Sequence, residues 1–481
     1  MGIFRSTNPL DWDDVDGIII DETAPPPSIK GVPANIAILV GQFERGPINL
    51  LTDVGSVGEF YQVFGNNVSY KGHIALLNKR FSSLKIVRVS AASGALEASK
   101  AFQSSATDRI TFTALWKGAY GNNITVKIES GTNTGKKYTI HDGNSGAVWP
   151  DEVYDDVAIA SITSATFASS NLISATVNSA AADPSNASAT ALASGSDGSL
   201  ADTDYQTAIT AQELEAAGNI LFLDDNNATR NGYLKTSMAN TTDRMCVMCG
   251  AAGDSVSTAV SAVASYRDTD GRIIYAFPYV YTSVSGVSTK VNPCSFYASL
   301  LSQVAPNIDP AFAGNAQYLA GIDSLELNLS RSNYVSLVAA GISAYELDAD
   351  IGMKIKSGVV TQILDSSKVM IFRRRMADYL TYSIAKFLKN YQNAVNSQPQ
   401  RDNAVAAIVR FNRDLELTGV VPKDSEVKTG KASVIDGDTL NTDDSIAAGF
   451  FKILYKRRIY SSMRYIVLQA EIGESVVVTA N

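Results

Sequence analysis

Hydrophobic positions follow two rhythms along this chain. ANIAILVGQFERGPIN (34–49) is a run of β-prone apolar residues stopped at Gly46-Pro47, which predicts a buried strand entering a turn. SVGEFYQVFG (56–65) spaces its apolar residues helically and ends on Gly65, so a short helix is expected. YKGHIALLNKRFSSLKIVRVS (70–90) reads as an amphipathic helix followed by a strand, Leu84–Val89, which makes 34–90 an α/β unit. The period then shortens to two: DRITFTALWKGAYGNNITVKIES (108–130) alternates around Gly-Asn turns and predicts β structure. Between 161 and 200, 25 of 40 residues are Ala, Ser or Thr with almost no charge, either a β-rich surface domain or a poorly ordered insert. From 207 onwards TAQELEAAGNILFLDD, NGYLKTSMANTTDRMCVMCGAAGD and SVSTAVSAVASYRDTDGRIIYAFPYV each run helix then strand, as units alternating around a small, partly parallel sheet do. Residues 292–365 read as helix and loop with turns at Pro293, Pro306 and Pro310, and a long helix is expected over about 368–393.

The two ends differ from this body. Residues 1–33 read as an arm, with an acidic and aromatic start (DWDDVD, 11–16), a β-prone triplet Ile18, Ile19, Ile20 without an obvious local partner, and the stiff APPPSIKGVP. Its three consecutive prolines favour an extended chain that projects rather than packs. About 17 extended residues span roughly 50 Å, against a radius of gyration near ~23 Å for a compact chain of this size. The arm therefore reaches a neighbouring subunit, or folds its strand back on its own domain. ESVVVT near the C-terminus supplies a second β-prone segment, Val476, Val477 and Val478.

Composition narrows the chemistry. A length of 481 residues predicts several domains, and 40 Lys plus Arg against 48 Asp plus Glu leave a net charge of −8, with no basic excess to neutralise phosphates. Nucleic acid is not expected as a direct partner. The two histidines, His73 and His141, lie far apart in unlike contexts, which gives imidazole-based catalysis or metal binding little to work with. Three cysteines, an odd count, suit a reducing compartment. No apolar run is long enough to span a membrane, so membrane insertion is not expected, and the first residues lack the apolar core of a secretory signal.

Individual motifs favour structural readings. In MCVMCGAAGD the pair Cys246 and Cys249 sits on an expected strand, where positions three apart face opposite sides, so the sulfurs do not converge. The loop CGAAGDS has neither a GxGxxG pattern nor a P-loop lysine, and reads as a tight turn with Asp254 or Ser255 capping the next helix. DWDDVD and DEVYDD (151–156) lack calcium-loop spacing and read as solvated turns. No residue is assigned a catalytic, cofactor-binding or metal-ligating role, no cofactor is expected, and an enzyme reading has no positive support. The long helix is more informative. At about 100° per residue, Lys368, Arg375, Lys386 and Lys389 fall within an arc of roughly 60°, opposite Val369, Phe372, Met376, Leu380, Ile384, Phe387 and Leu388. This basic stripe is either a solvated face or a surface for docking on an acidic partner.

With these segments in view, the chain resembles the sheath proteins of contractile phage tails and related contractile injection machines. GIIIDETAPPPSIKGVPANIAILVGQFERGPINLLTDVGSVGEFYQVFG is similar to that family's arm, first strand, glycine-proline turn and helix end. WKGAYGNNITV (116–126) resembles its Gly-Asn-Asn turn, and RRRMADYLTYSIAKFLKNYQ with the late YKRRIYSSMRYIVLQAEIGESVVV resembles its C-terminal inner domain and closing strand. The resemblance covers about half the chain. It implies a non-enzymatic structural subunit that polymerises with identical copies into a helical sheath around an inner tail tube, meets baseplate and tail terminator proteins, and contracts to drive the tube through a cell envelope for genome delivery. It would be assembled in the host bacterial cytoplasm and end in the virion tail. The implied fold is α+β and multidomain, with an arm (1–33), an inner domain built from 34–100 and 346–466, an outer β-rich insertion (101–206), an outer α/β domain (207–345) and a C-terminal arm strand (467–481). Ile18–Ile20 and Val476–Val478 would link subunits, and Lys368, Arg375, Lys386 and Lys389 would touch the tube. Two other readings remain: a self-assembling surface-layer or adhesin-type protein, and a nucleotide-dependent enzyme binding its ligand at Gly250–Gly253.

Overall fold

The computed structural model describes residues 3–4, 18–19, 28–146, 149–213 and 220–464. The chain divides into two units, residues 33–379 and residues 1–32 with 380–481.

The larger unit is organised by an eight-stranded sheet. From one edge its strands are Gly352–Ile355, Ile342–Asp348, Ile273–Phe277, Met245–Met248, Ile220–Leu223, Ile36–Gln42, Ser83–Val89 and Leu51–Val54. Its six inner strands run parallel, and the two edge strands are antiparallel. Inner strands such as ILFL and MCVM are apolar throughout because helices cover both faces, so both sides of each strand are buried. Ala37, Leu39, Ile220, Phe222, Met245 and Val247 enter one core with helices Val57–Phe64 and Cys294–Gln303. Ile38, Val40, Leu221, Leu223, Cys246 and Met248 enter the other with helices Asp202–Ala211, Ala228–Asn240, Val256–Val263 and Arg331–Ala340.

This sheet redraws the expected domain boundaries. Ile220–Leu223 pairs directly with Ile36–Gln42, so residues 207–345 share one sheet with 34–90 instead of forming an outer α/β domain of their own. Parallel pairing tolerates a long crossover, and here the entire β-rich segment lies within it. Strands Ile342–Asp348 and Gly352–Ile355 also stand where helix and loop were expected. Gly341, left-handed at φ 88°, ends the preceding helix, and Gly352 at φ 90° opens the returning strand.

The β-rich part of the same unit has a core of its own. Ser99–Ser104, Thr107–Ala114 and Ile173–Val177 form one sheet; Glu152–Val157, Lys136–Asp142, Ile124–Ser130 and Ala187–Ala191 form another. Phe102, Phe112, Tyr138, Ile140 and Phe167 fill this core. The Ala/Ser/Thr-rich stretch thus supplies two strands to these sheets and a third, Ser196–Asp197, that pairs with Ala95–Leu96, the ordered one of its two expected states.

The smaller unit contains the end of helix Ile371–Leu388, helix Gln398–Leu417, and a two-stranded antiparallel sheet of Ser433–Asp436 and Leu454–Arg457. Ala404, Ile408, Phe411 and Leu415 bury one helical stripe. Asn412 Nδ2 donates to Ser433 Oγ at 3.1 Å, and Arg457 pairs with Glu416 at 2.6 Å, fixing the sheet on that helix. In the arm, Ile18–Ile19 pairs in parallel with Ile3–Phe4, which gives the isoleucine triplet a local partner the sequence did not reveal. Ile20, Val476, Val477 and Val478 lie outside the described residues.

Candidate functional site

Doubly wound sheets carry ligands beyond the C-terminal ends of their strands, where strand order reverses. Here that place follows Gln42 and Leu223, and the chain's own polar side chains fill it. Asp224 Oδ2 accepts the Gln42 amide at 2.8 Å and Oδ1 accepts the Tyr205 hydroxyl at 2.9 Å. A Cβ on Gly41 would lie 2.8 Å from Asp224 Cγ, so the glycine is required for this carboxylate to sit there. Arg230 stacks over Tyr205 and pairs with Asp202 at 2.7 Å and Asp225 at 2.8 Å. Asn292 donates to Asn226 Oδ1, and Asn226 to Asn231 Oδ1, each at 2.7 Å, closing the far side. The glycine loop is occupied too: Asp254 Oδ2 accepts the Ala251 amide at 2.8 Å, placing a carboxylate where a phosphate would have to bind. Ser255 caps the following helix, accepting from the Thr258 amide. Cys246 and Cys249 enter opposite cores, as the strand register requires. Among the described residues, no three His, Cys, Asp or Glu side chains are grouped to hold a metal ion.

Burial pushes the Asp224 carboxyl up to about 6 from 3.8. Because the folded value exceeds the unfolded one, this group's contribution to stability is full below about pH 4 and is lost as pH rises to about 6. Asp224→Asn keeps the acceptor for Gln42 and cannot ionise. The variant is expected to flatten the pH dependence of unfolding between 4 and 6 by about 3 kcal/mol, checked by denaturant titrations across that range; an unchanged profile would place the responsible proton elsewhere.

The two sequence blocks around Gly46-Pro47 and Trp116–Val126 meet in the structure. Arg88, buried on its strand, donates to the carbonyls of Phe43 (3.1 Å), Gly46 (3.0 Å) and Glu44 (3.3 Å) in the first block, and to Lys117 (2.7 Å) in the second. Arg45 pairs with Asp142 of the β-rich part at 2.8 Å, both side chains buried. Glu44 accepts the amides of Asn66 and Asn67, and its own amide donates to His73 Nε2 at 3.4 Å. Burial holds His73 down to about 3, so it is neutral and free to accept that bond. These charges fasten the parallel sheet to the β-rich core, a positioning role. His141 is exposed and pairs with Asp151 at 2.6 Å; Asp155 and Asp156 accept amides of the Thr132–Thr134 turn.

The expected basic stripe divides. Arg375 is buried, donating to the carbonyls of Leu301 (2.8 Å), Val304 (2.9 Å) and Ala34 (3.3 Å) and to Asn35 Oδ1 (3.2 Å). Burial pushes its guanidinium down to about 10. A helical wheel gives its angle, but main-chain acceptors from other elements turn that angle into core. Lys368 precedes the helix and donates to Thr269 O at 2.8 Å. Lys386 and Lys389 are exposed, three residues apart. The two-stranded sheet of the smaller unit was not anticipated. Among the described residues each of its strands has only the other as partner, leaving two open edges.

No family model and no curated protein matches the sequence. Solved structures do match. A sheath tail protein from Listeria innocua aligns at TM-score 0.64 and 14% identity over 86% of this chain and 90% of its own. One from Desulfitobacterium hafniense aligns at TM-score 0.63 and 14% identity over 88% and 94%. The helical sheath of the anti-feeding prophage, in its contracted state, aligns at TM-score 0.60 and 14% identity over 96% and 99%. The chain has the fold of contractile sheath proteins.

Proposed function

We propose that this chain is the sheath subunit of a contractile tail or injection machine, a structural protein that polymerises head to tail into a helical tube around an inner tail tube. The observation that carries this reading is the two-stranded sheet with two open edges, within a chain of sheath fold and β-prone ends. A lone pair of strands is marginal in water and gains from further strands. Ile18–Ile20 and Val476–Val478 of neighbouring copies supply them by main-chain pairing, and such heterologous contacts propagate instead of closing. Strands exchanged between copies keep them connected while their bodies pass from one packing to another, which is contraction. Lys386 and Lys389 remain as the tube-facing pair, salt-sensitive and individually weak. The β-rich residues 101–206 face outward, baseplate and terminator proteins cap the assembly, and the machine delivers a genome or effector through an envelope.

Negative-stain microscopy of purified protein tests the reading. Hollow tubes of regular helical repeat are expected; a monodisperse monomer at all concentrations would remove it.

A further inference from the structure

Among the described residues, the face of the two-stranded sheet turned away from helix Gln398–Leu417 is uncovered, and it is basic and apolar at once. Its other face is used against helix Gln398–Leu417 through Ser433 and Arg457. By the two-residue period the outward side carries Val434 and Asp436 on one strand and Leu454 and Lys456 on the other, with Lys452 and Arg458 in the same parity beyond the ends. Lys452, Lys456 and Arg458 are exposed; Val434 is 40% exposed, and Phe450, with the Lys452 ammonium 5.7 Å from its ring centre, 58%. The acid on this side, Asp436, already accepts the amides of Asp438 (2.8 Å) and Thr439 (3.1 Å). In a chain of net charge −8, residues 380–464 hold thirteen Lys and Arg against nine Asp and Glu. Residues 1–24 are the inverse, one arginine against six acids, four of them around Trp12 in DWDDVD.

We propose that residues 11–16 of a second copy dock on this face, Trp12 against Val434 and Leu454 and the aspartates among Lys452, Lys456 and Arg458. The proposal rests on the linking role of the arm and adds what sets its register. The segment matches the face in charge and in apolar character, and it lies two to nine residues from Ile18–Ile20 in the sequence. When that strand pairs at an open edge, DWDDVD is therefore within about 10–30 Å of the basic face. Main-chain pairing alone permits slippage. Opposite charges across the sheet penalise the wrong register and speed encounter at low salt.

Charge exchange between copies tests this. Asp13→Lys with Asp14→Lys reverses the arm; Lys452→Glu with Lys456→Glu reverses the face. Each variant alone is expected to raise the critical concentration for tube formation at least tenfold at low salt. An equimolar mixture restores it, because each reversed arm then finds a reversed face. The milder Lys452→Gln with Lys456→Gln is expected to weaken the salt dependence of assembly while leaving the circular dichroism spectrum unchanged. Wild-type assembly by either reversed variant, or no recovery in the mixture, would overturn the proposal; recovery only when both reversals share one chain would place the contact within a copy and overturn it equally. Normal tubes from a chain lacking residues 1–24 would instead remove the linking arm itself.

Discussion

Asp378→Ala is expected to destabilise the chain by about 3–5 kcal/mol, the range for stranding one partner of a buried ion pair. The Asp378 carboxylate takes both nitrogens of Arg272, at 2.9 and 3.0 Å, and also bonds Arg374. The Arg272 and Asp378 side chains are only 6% and 8% exposed, so water cannot replace the lost bonds. Burial is the largest influence on Asp378, outweighing both arginines and holding its carboxyl above the ordinary 3.8. The pair therefore gains little over an apolar filling. Its broken half costs far more than the whole contributes. Arg272→Met combined with Asp378→Leu should recover most of the loss, measured by urea unfolding of the three proteins. A single-variant loss below about 1 kcal/mol would mean that Arg272 finds other acceptors, beyond the Arg244 carbonyl it already uses.

How much of this was legible depended on whether local pattern and tertiary role agree. ANIAILVGQ announces a strand because a position buried on both faces needs continuous apolar residues. Helix Val57–Phe64 is written out in full: Ser56 accepts the Glu59 amide, and Gly65 ends the helix at φ 81°. The strand ISAYELD was hidden by its own polarity. Ser343 is fully buried, bonded to Tyr297 and to the carbonyls of Ser357 and Val359, and no periodicity distinguishes a satisfied buried hydroxyl from a solvated one. The pairing of Ile220–Leu223 with Ile36–Gln42 spans about 180 residues and leaves no local trace. The candidate assembly site was only half visible for a similar reason. β-prone ends announce strands seeking partners, whereas their receiving sheet consists of two four-residue strands, SVID and LYKR, too short to carry a period. Arg375 shows the limit of a helical wheel, which counts angles and is blind to four oxygens arriving from residues 34, 35, 301 and 304.

Deleting residues 1–24 is expected to leave a folded chain that does not polymerise. Among the described residues, the three hydrophobic cores begin at Ala37. The Val32 amide, bonded to Ser383 Oγ at 3.1 Å, lies beyond the cut. Unfolding stability should thus change by less than about 1 kcal/mol, the ordinary effect of altering surface segments. Assembly is another matter. Three isoleucines leaving water contribute about 1.5–3 kcal/mol each when fully buried, and each ladder hydrogen bond about 1 kcal/mol net. Even half of that, set against the pairing with Ile3–Phe4 that the strand gives up, is on the order of 3–5 kcal/mol per linkage, a factor of roughly 10²–10⁴ in critical concentration. Sedimentation of the truncated protein at concentrations where the full chain forms tubes gives the answer, and Ile19→Pro in the full chain gives the same test without shortening it, since it removes one ladder donor. Both variants should stay in the supernatant with unchanged melting curves. Tubes of normal length from either would show that copies are joined by the faces of their folded units, and the run of three prolines at 25–27 would then need a different explanation.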